Sequence, residues 1–86
     1  MWPRGLIEDH EFAQQREAMG LDAKDLDNAS WGLTWAIATD PEVFPEIAWG
    51  IRIAVLRPHG NIPSVMILFR IDDDAWECEF LWIEAI

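Results

Sequence analysis

The C-terminal end of the chain constrains the fold most strongly, because it contains two apolar runs joined by an acidic turn. Residues 64–86 read SVMILFRIDDDAWECEFLWIEAI. The first run is apolar at consecutive positions, which is typical of a central strand covered on both faces. The turn at residues 72–74 consists of three aspartates, whose side chains can accept hydrogen bonds from local backbone amides. We therefore predict a β-hairpin that forms part of the core.

Glutamate alternates with hydrophobic residues after this turn, which predicts a strand with one core-facing row and one solvent-facing row. The alternation assigns Trp76, Cys78, Phe80 and Trp82 to one row, and Glu77, Glu79, Leu81 and Ile83 to the other. Cys78 is the only cysteine, which excludes an internal disulfide and a zinc site built on cysteines. We interpret it as a small buried hydrophobe.

The preceding sequence predicts two helices and one further strand. Residues from about Asp9 to Met19 have helical spacing and a following glycine, and a second helix from about Ala23 to Thr39 ends before Pro41. IRIAVLR at 51–57 predicts a strand, residues 41–50 a connector, and MWPRGLI at 1–7 a short edge strand or an ordered arm. The chain is expected to form a single α+β domain, residues 1–86, with two N-terminal helices packed on a three- to four-stranded antiparallel sheet.

The charge balance limits the classes of partner. Six Lys and Arg residues stand against sixteen Asp and Glu residues, so the formal net charge is −10. Binding to nucleic acids or to anionic membranes requires a basic patch, so neither is expected. The acidity either keeps a tryptophan-rich protein soluble or is itself a recognition feature. The sequence has no signal-peptide pattern and no apolar stretch of membrane-spanning length, and a cytoplasmic location is expected.

Sequence motifs for catalysis or metal binding are missing. His10 stands among acids at a helix start, and the triple aspartate lacks calcium-loop spacing, so neither a metal site nor a cofactor is expected. The weak candidates for a catalytic site are Arg52, Arg57, Arg70 and His59.

Tryptophan content points toward a partner. Trp31 and Trp35 lie one helical turn apart and form either core packing or a partner-binding ridge. Six tryptophans in 86 residues exceed what a two-layer core easily buries. Trp31, Trp35 and Trp49 are therefore the candidate contacts with a protein partner or with a second copy of the chain.

The order of elements resembles the RelE/ParE toxin superfamily. The residues that carry the resemblance are IRIAVLRP, LFRIDDDAWECEFLWI, Arg52 and the helix from about Ala23 to Thr39. The resemblance implies a small bacterial protein with a helical pair on an antiparallel sheet and an antitoxin segment as its partner. Ribosome-dependent members cut messenger RNA with basic residues and often a Tyr or His. This chain departs from that pattern, because it has no Tyr and carries Glu77, Glu79 and Glu84 in the corresponding region.

Three hypotheses about function follow. The first is a RelE/ParE-like protein that acts through protein–protein binding, as a component of a toxin–antitoxin-type system or a degenerate relative without nuclease activity. The second is an acidic protein that mimics nucleic acid and occupies the basic groove of another protein. The third is a ribosome-dependent mRNA interferase, which would require the four weak catalytic candidates to form a cationic concavity.

Overall fold

The structure, a computed structural model, describes residues 2–86. Two α-helices and five strands follow one another as β1 (Gly5–Glu8), α1 (His10–Ala18), α2 (Ala23–Thr39), β2 (Glu46–Ala48), β3 (Ile51–Leu56), β4 (Val65–Asp72) and β5 (Glu77–Ala85). A short 3₁₀ helix at Pro41–Val43 joins α2 to β2. The fold is therefore α+β, with helices packed on a sheet as predicted.

Local chemistry defines the ends of both helices. Asp9 occupies the N-cap of α1, and Gly20 follows this helix with a φ of +69°, which glycine adopts without a steric penalty. The carboxylate of Asp22 accepts a hydrogen bond from the backbone N–H of Asp25 at 3.0 Å and so caps α2. Pro41 lies just beyond the end of α2. The helix bounds thus agree closely with the prediction.

The sheet differs from the predicted one in strand number and direction. Its strand order is β1-β5-β4-β3-β2, and β1 runs parallel to β5, with Leu6 opposite Cys78, whereas the other neighbours are antiparallel. The prediction of three to four antiparallel strands is therefore wrong. The short edge strand considered at the N-terminus is present as β1, and the strand that the prediction missed is β2, which has three residues and lies within the segment predicted as a connector.

The core lies between the helices and one face of the sheet. Phe12 of α1 packs against Phe80 of β5 with ring centroids 5.2 Å apart, and Ile37 of α2 is fully buried. The sheet contributes a continuous set of buried side chains to this core, namely Ala54, Leu56, Val65, Ile67, Phe69, Cys78, Phe80 and Ile83. Neither helix in residues 2–86 has the length and apolarity needed to cross a membrane.

A β-bulge in β5 changes which side chains enter the core. Phe69 is opposite Phe80, but Leu68 is opposite Trp82, so Leu81 is an extra residue on β5. Ile83 is consequently buried, and Trp82 turns to the face away from the helices. The predicted rows are correct up to Phe80 and wrong beyond it, since strict alternation cannot anticipate a bulge. Trp76, predicted on the strand, lies in the turn before β5.

Candidate functional site

The side of the sheet that faces away from the helices carries an apolar surface, which we call the open face. Its middle row is Ile53, Leu68 and Trp82, which are direct neighbours across three strands. These three side chains are partly exposed, whereas Phe69, beside Leu68 in the chain, is fully buried on the other side. The open face consists of residues from three adjacent strands: Ile51, Ile53, Val55, Met66, Leu68 and Trp82.

An apolar open face is unusual for this kind of sheet. Antiparallel sheets with helices on one side commonly present polar residues on the other side. Here β4 is apolar on both faces, and two helices can cover only one of them. Val55 at the end of the open face has 47% of its surface exposed. Contiguous exposed apolar surface of this kind typically marks a place where another molecule binds.

One end of the open face continues into an acidic cleft of about 440 Å³. The cleft surrounds the β4–β5 turn, and its charged lining is Arg70, Asp72, Asp73, Asp74, Glu77 and Glu79. The two surfaces are continuous because Ile51 of the open face is directly opposite Arg70, which is opposite Glu79.

Two of the five carboxylates in the cleft are already paired with arginines. Glu79 pairs with Arg70, and Asp73 accepts a hydrogen bond from Arg4 at 2.7 Å. Within residues 2–86, the remaining three carboxylates form no ion pair with a basic side chain; they belong to Asp72, Asp74 and Glu77. The cleft therefore has unneutralised negative charge beside an apolar surface.

The structure does not bring the predicted catalytic candidates together. Arg52 points to the helix side of the sheet, where it donates to the carbonyl oxygen of Phe44 at 2.7 Å, and Arg70 points to the open face. Arg57 and His59 follow the opposite end of β3, about 20 Å along the strand from Ile51 at 3.4 Å per residue. These four residues form no common concavity.

The tryptophans proposed as partner contacts are all exposed. Trp31 and Trp35 on α2 are 68% and 52% exposed, and their rings stack in parallel with centroids 6.2 Å apart. They contact each other and do not enter the core, so the alternative of core packing is wrong for them. Trp49 lies in the β2–β3 turn and is 99% exposed, so it does not enter the core.

Sequence reasoning identified neither the open face nor the buried position of Arg4. Arg4 is 7% exposed and contacts the turn before β5, a tertiary relationship between residues far apart in the chain. The open face did leave a signal in the sequence. Both rows of β3 and both rows of β4 are largely apolar, while two helices are too few to cover two faces.

The buried thiol of Cys78 agrees with its predicted role. Its Sγ lies 3.7 Å from the carbonyl oxygen of Ile37, and the residue has no exposed surface. Burial raises the pKa of the Cys78 thiol above its ordinary value, and the positive charge of Arg4 opposes part of that rise. A thiol in this environment is a poor nucleophile.

No protein-family model matches this sequence, and no curated protein is significantly similar to it. Within residues 2–86, no three side chains of His, Cys, Asp or Glu are grouped so as to hold a metal ion. The chemistry of the exposed surface is therefore the guide to function, and that surface combines an apolar sheet face with an acidic cleft.

Proposed function

We propose that this protein acts by binding a segment of another protein on the open face of its sheet. The observation that carries the proposal is the apolar row Ile53, Leu68 and Trp82 on the side of the sheet opposite both helices. Burial of apolar surface contributes roughly 25 cal/mol per Å² and is the main source of binding energy in such contacts. The exposed tryptophans on α2 form a separate apolar surface, which is the competing location for the partner.

The distribution of basic residues supports binding to protein over catalysis on RNA. Four of the five arginines form ion pairs with carboxylates, which are Arg4, Arg16, Arg52 and Arg70. An arginine paired with a carboxylate offers little net charge to a phosphate backbone. The mRNA interferase hypothesis thus has no geometric support among the residues described.

The more specific form of the proposal is a RelE/ParE-like component of a toxin–antitoxin-type system, or a degenerate relative that retains only the interaction. It is supported by the order of the elements, in which two helices precede the strands β2 to β5. In this form the partner is an antitoxin-like segment, and a second copy of the chain is the alternative occupant. Fold similarity alone does not transfer an activity. This form of the proposal therefore includes the binding of an antitoxin-like segment and no nuclease step.

The acidic cleft favours a second candidate, a protein that mimics nucleic acid. Five carboxylates line one cleft, and the whole chain has a net charge of −10. Such a protein would bind a basic groove through carboxylates and would not need an apolar sheet face. The two candidates therefore differ in whether the open face is required for binding.

The test is co-expression with the product of the adjacent reading frame, followed by size-exclusion chromatography with light scattering. The variant Ile53→Thr/Leu68→Thr removes apolar surface from the open face while keeping residues that favour strands. The matched variant Trp31→Gln/Trp35→Gln removes apolar surface from α2. Both variants are first shown by circular dichroism to fold like the wild-type protein.

We expect a stoichiometric complex that the open-face variant loses and the α2 variant retains. If the open-face variant retains the complex and the α2 variant loses it, the partner binds to the helices and the open face is rejected as the site. If both variants still form the complex, but neutralising the carboxylates of the cleft abolishes it, the nucleic-acid mimic would be favoured. A lone monomer that binds no product of the adjacent frame would reject the toxin–antitoxin form.

A further inference from the structure

We infer that the partner segment is an amphipathic α-helix with aliphatic residues on one side and Lys or Arg at the end that lies over the acidic cleft. This inference rests on the proposed function and specifies the chemistry of the partner. It combines two adjoining features: the apolar rows of the open face, and the three carboxylates of Asp72, Asp74 and Glu77 that have no ion-pair partner among residues 2–86.

The dimensions of the open face suit a single helix. Three strands spaced about 4.8 Å apart give a width of about 14 Å, and six residues of strand give a length of about 20 Å. A helix with side chains is about 10–12 Å wide, and about 13 residues of it extend over 20 Å. One helix of three to four turns therefore covers the apolar rows along the strand direction.

The charge gradient along the strands fixes the chemistry of one end of that helix. The row nearest the cleft contains Arg70 and Glu79, and the turn beyond it adds the unpaired carboxylates. At the opposite end the open face carries Glu84, whose carboxylate accepts a hydrogen bond from the indole N–H of Trp82 at 3.2 Å. Cationic side chains of a bound helix are consequently stabilised more strongly at the cleft end.

A second copy of the chain fits this surface less well than a basic helix does. Each copy has a net charge of −10, so face-to-face association would bring two strongly acidic proteins together. Stable interfaces bury about 800 Å² on each partner, whereas the apolar rows extend over only about 300 Å² in projection. Charge complementarity therefore selects a cationic partner over self-association.

The test uses two synthetic helical peptides that differ only in charge. Both carry leucine at helical spacing on one side; the cationic peptide has lysines in its terminal turn, and the anionic peptide has glutamates at the same positions. Each peptide is titrated into uniformly ¹⁵N-labelled full-length protein, and the amide and indole N–H signals are followed. The indole N–H of Trp82 reports on the open face, and those of Trp31 and Trp35 report on α2.

We expect the cationic peptide to shift the signals of β3, β4, β5 and the Trp82 indole. The anionic peptide is expected to bind at least tenfold more weakly. Raising the salt concentration is expected to reduce the affinity of the cationic peptide severalfold, because the Debye length falls from about 10 Å at 0.1 M to about 3 Å at 1 M.

A pair of charge variants separates the cleft from the overall acidity of the protein. Asp74→Asn/Glu77→Gln neutralises two carboxylates in the cleft, and Glu11→Gln/Glu17→Gln neutralises two exposed carboxylates on α1. The net charge changes equally in both. Only the cleft variant is expected to lose affinity for the cationic peptide, by roughly tenfold.

The outcomes distinguish failure of this inference from failure of the proposed function. Equal binding of both peptides at the open face overturns the cationic partner and leaves the protein-binding function intact. Shifts confined to α2, or binding of neither peptide, overturn the open face as the site for a helix. If the protein forms a dimer and Ile53→Thr/Leu68→Thr dissociates it, a second copy of the chain occupies the open face, and the inference is likewise overturned.

Discussion

The guanidinium of Arg4 lies 3.9 Å from the ring centroid of Trp76 and donates a hydrogen bond to Asp73 at 2.7 Å. This contact attaches the N-terminal segment to the β4–β5 turn, although almost the whole length of the chain separates the two in sequence. Trp76 completes it by donating its indole N–H to the carbonyl oxygen of Trp2 at 3.0 Å. Trp76 has a φ of +55°, a conformation that non-glycine residues rarely adopt and that such contacts help to maintain.

The first prediction concerns the contribution of Arg4 to stability. Arg4→Ala removes the ion pair with Asp73, the stacking on Trp76 and the burial of the arginine stem. The pair is only half sequestered, because the side chain of Asp73 is 75% exposed while that of Arg4 is 5% exposed. We therefore expect the free energy of unfolding in urea to fall by about 2 kcal/mol, below the range for a fully buried pair.

Arg16 supplies the matched control for this substitution. It pairs with Glu8, and both side chains are more than one third exposed. Exposed ion pairs contribute about 0–1 kcal/mol, so Arg16→Ala should change the stability by less than about 1 kcal/mol. Equal losses in the two variants would show that Arg4 acts as an ordinary surface residue.

The sequence predicted those elements whose signals are local. Caps, glycine stops and helical periodicity gave the bounds of α1 and α2, and the turn of three aspartates gave the β4–β5 hairpin. The parallel pairing of β1 with β5 depends on contacts between residues more than 70 positions apart. Such pairing has no local signal, and neither does the ion pair of Arg4.

The candidate site was predicted only in part, because a sequence shows that a strand is apolar but not what covers it. The sequence VMILF in β4 predicts burial on both faces of the strand, but the helices bury only one of these faces. The bulge at Leu81 then moved Trp82 onto the open face, against the alternation. The tryptophans of α2 were identified as candidates, since a small core cannot bury six such residues.

The second prediction compares neighbours in β4 that point to opposite faces. Phe69 is fully buried, with its ring centroid 5.7 Å from that of Phe44 and 6.5 Å from that of Phe80. Phe69→Ala should lower the free energy of unfolding by about 3–5 kcal/mol, because it leaves a cavity. Leu68→Ala on the open face should lower it by less than about 1.5 kcal/mol, because water already reaches this site.

Urea denaturation followed by circular dichroism measures both losses. Similar large losses for Leu68→Ala and Phe69→Ala would mean that the open face is covered in solution. Light scattering on the wild-type protein would then show whether a second copy provides that cover.

The third prediction concerns the dependence of stability on alkaline pH. Burial raises the pKa of the Cys78 thiol above its ordinary value; the charge of Arg4 opposes the rise, and the carboxylates of Asp73 and Glu42 add to it. As the pH increases, the unfolded chain loses this proton before the folded protein does. The thiol's contribution to stability is therefore present below about pH 8.5 and declines above it, by at most about 1.4 kcal/mol per pH unit.

Urea titrations of the wild-type protein and of Cys78→Ala at about pH 8 and about pH 10 isolate this contribution. The variant lacks the thiol, so its loss of stability between the two conditions should be smaller than that of the wild type. Parallel pH profiles in the two proteins would contradict the expected titration of a buried thiol.

The last prediction concerns two glycines, Gly32 inside α2 and Gly20 just after α1. Gly32 lies inside α2 and is exposed. Apart from its two chain neighbours and the surrounding helix backbone, no atom lies within 4 Å of the position that a Cβ would occupy. No other element therefore approaches this glycine closely. Alanine is favoured over glycine in a helix interior by about 1 kcal/mol, so Gly32→Ala should raise the melting temperature by about 4–8 °C.

Gly20→Ala should lower the melting temperature by a comparable amount, because the φ of +69° at that position is strained for any residue with a Cβ. Differential scanning calorimetry measures both shifts, and a lower melting temperature for Gly32→Ala would mean that the surface of α2 around Trp31 and Trp35 is occupied in solution.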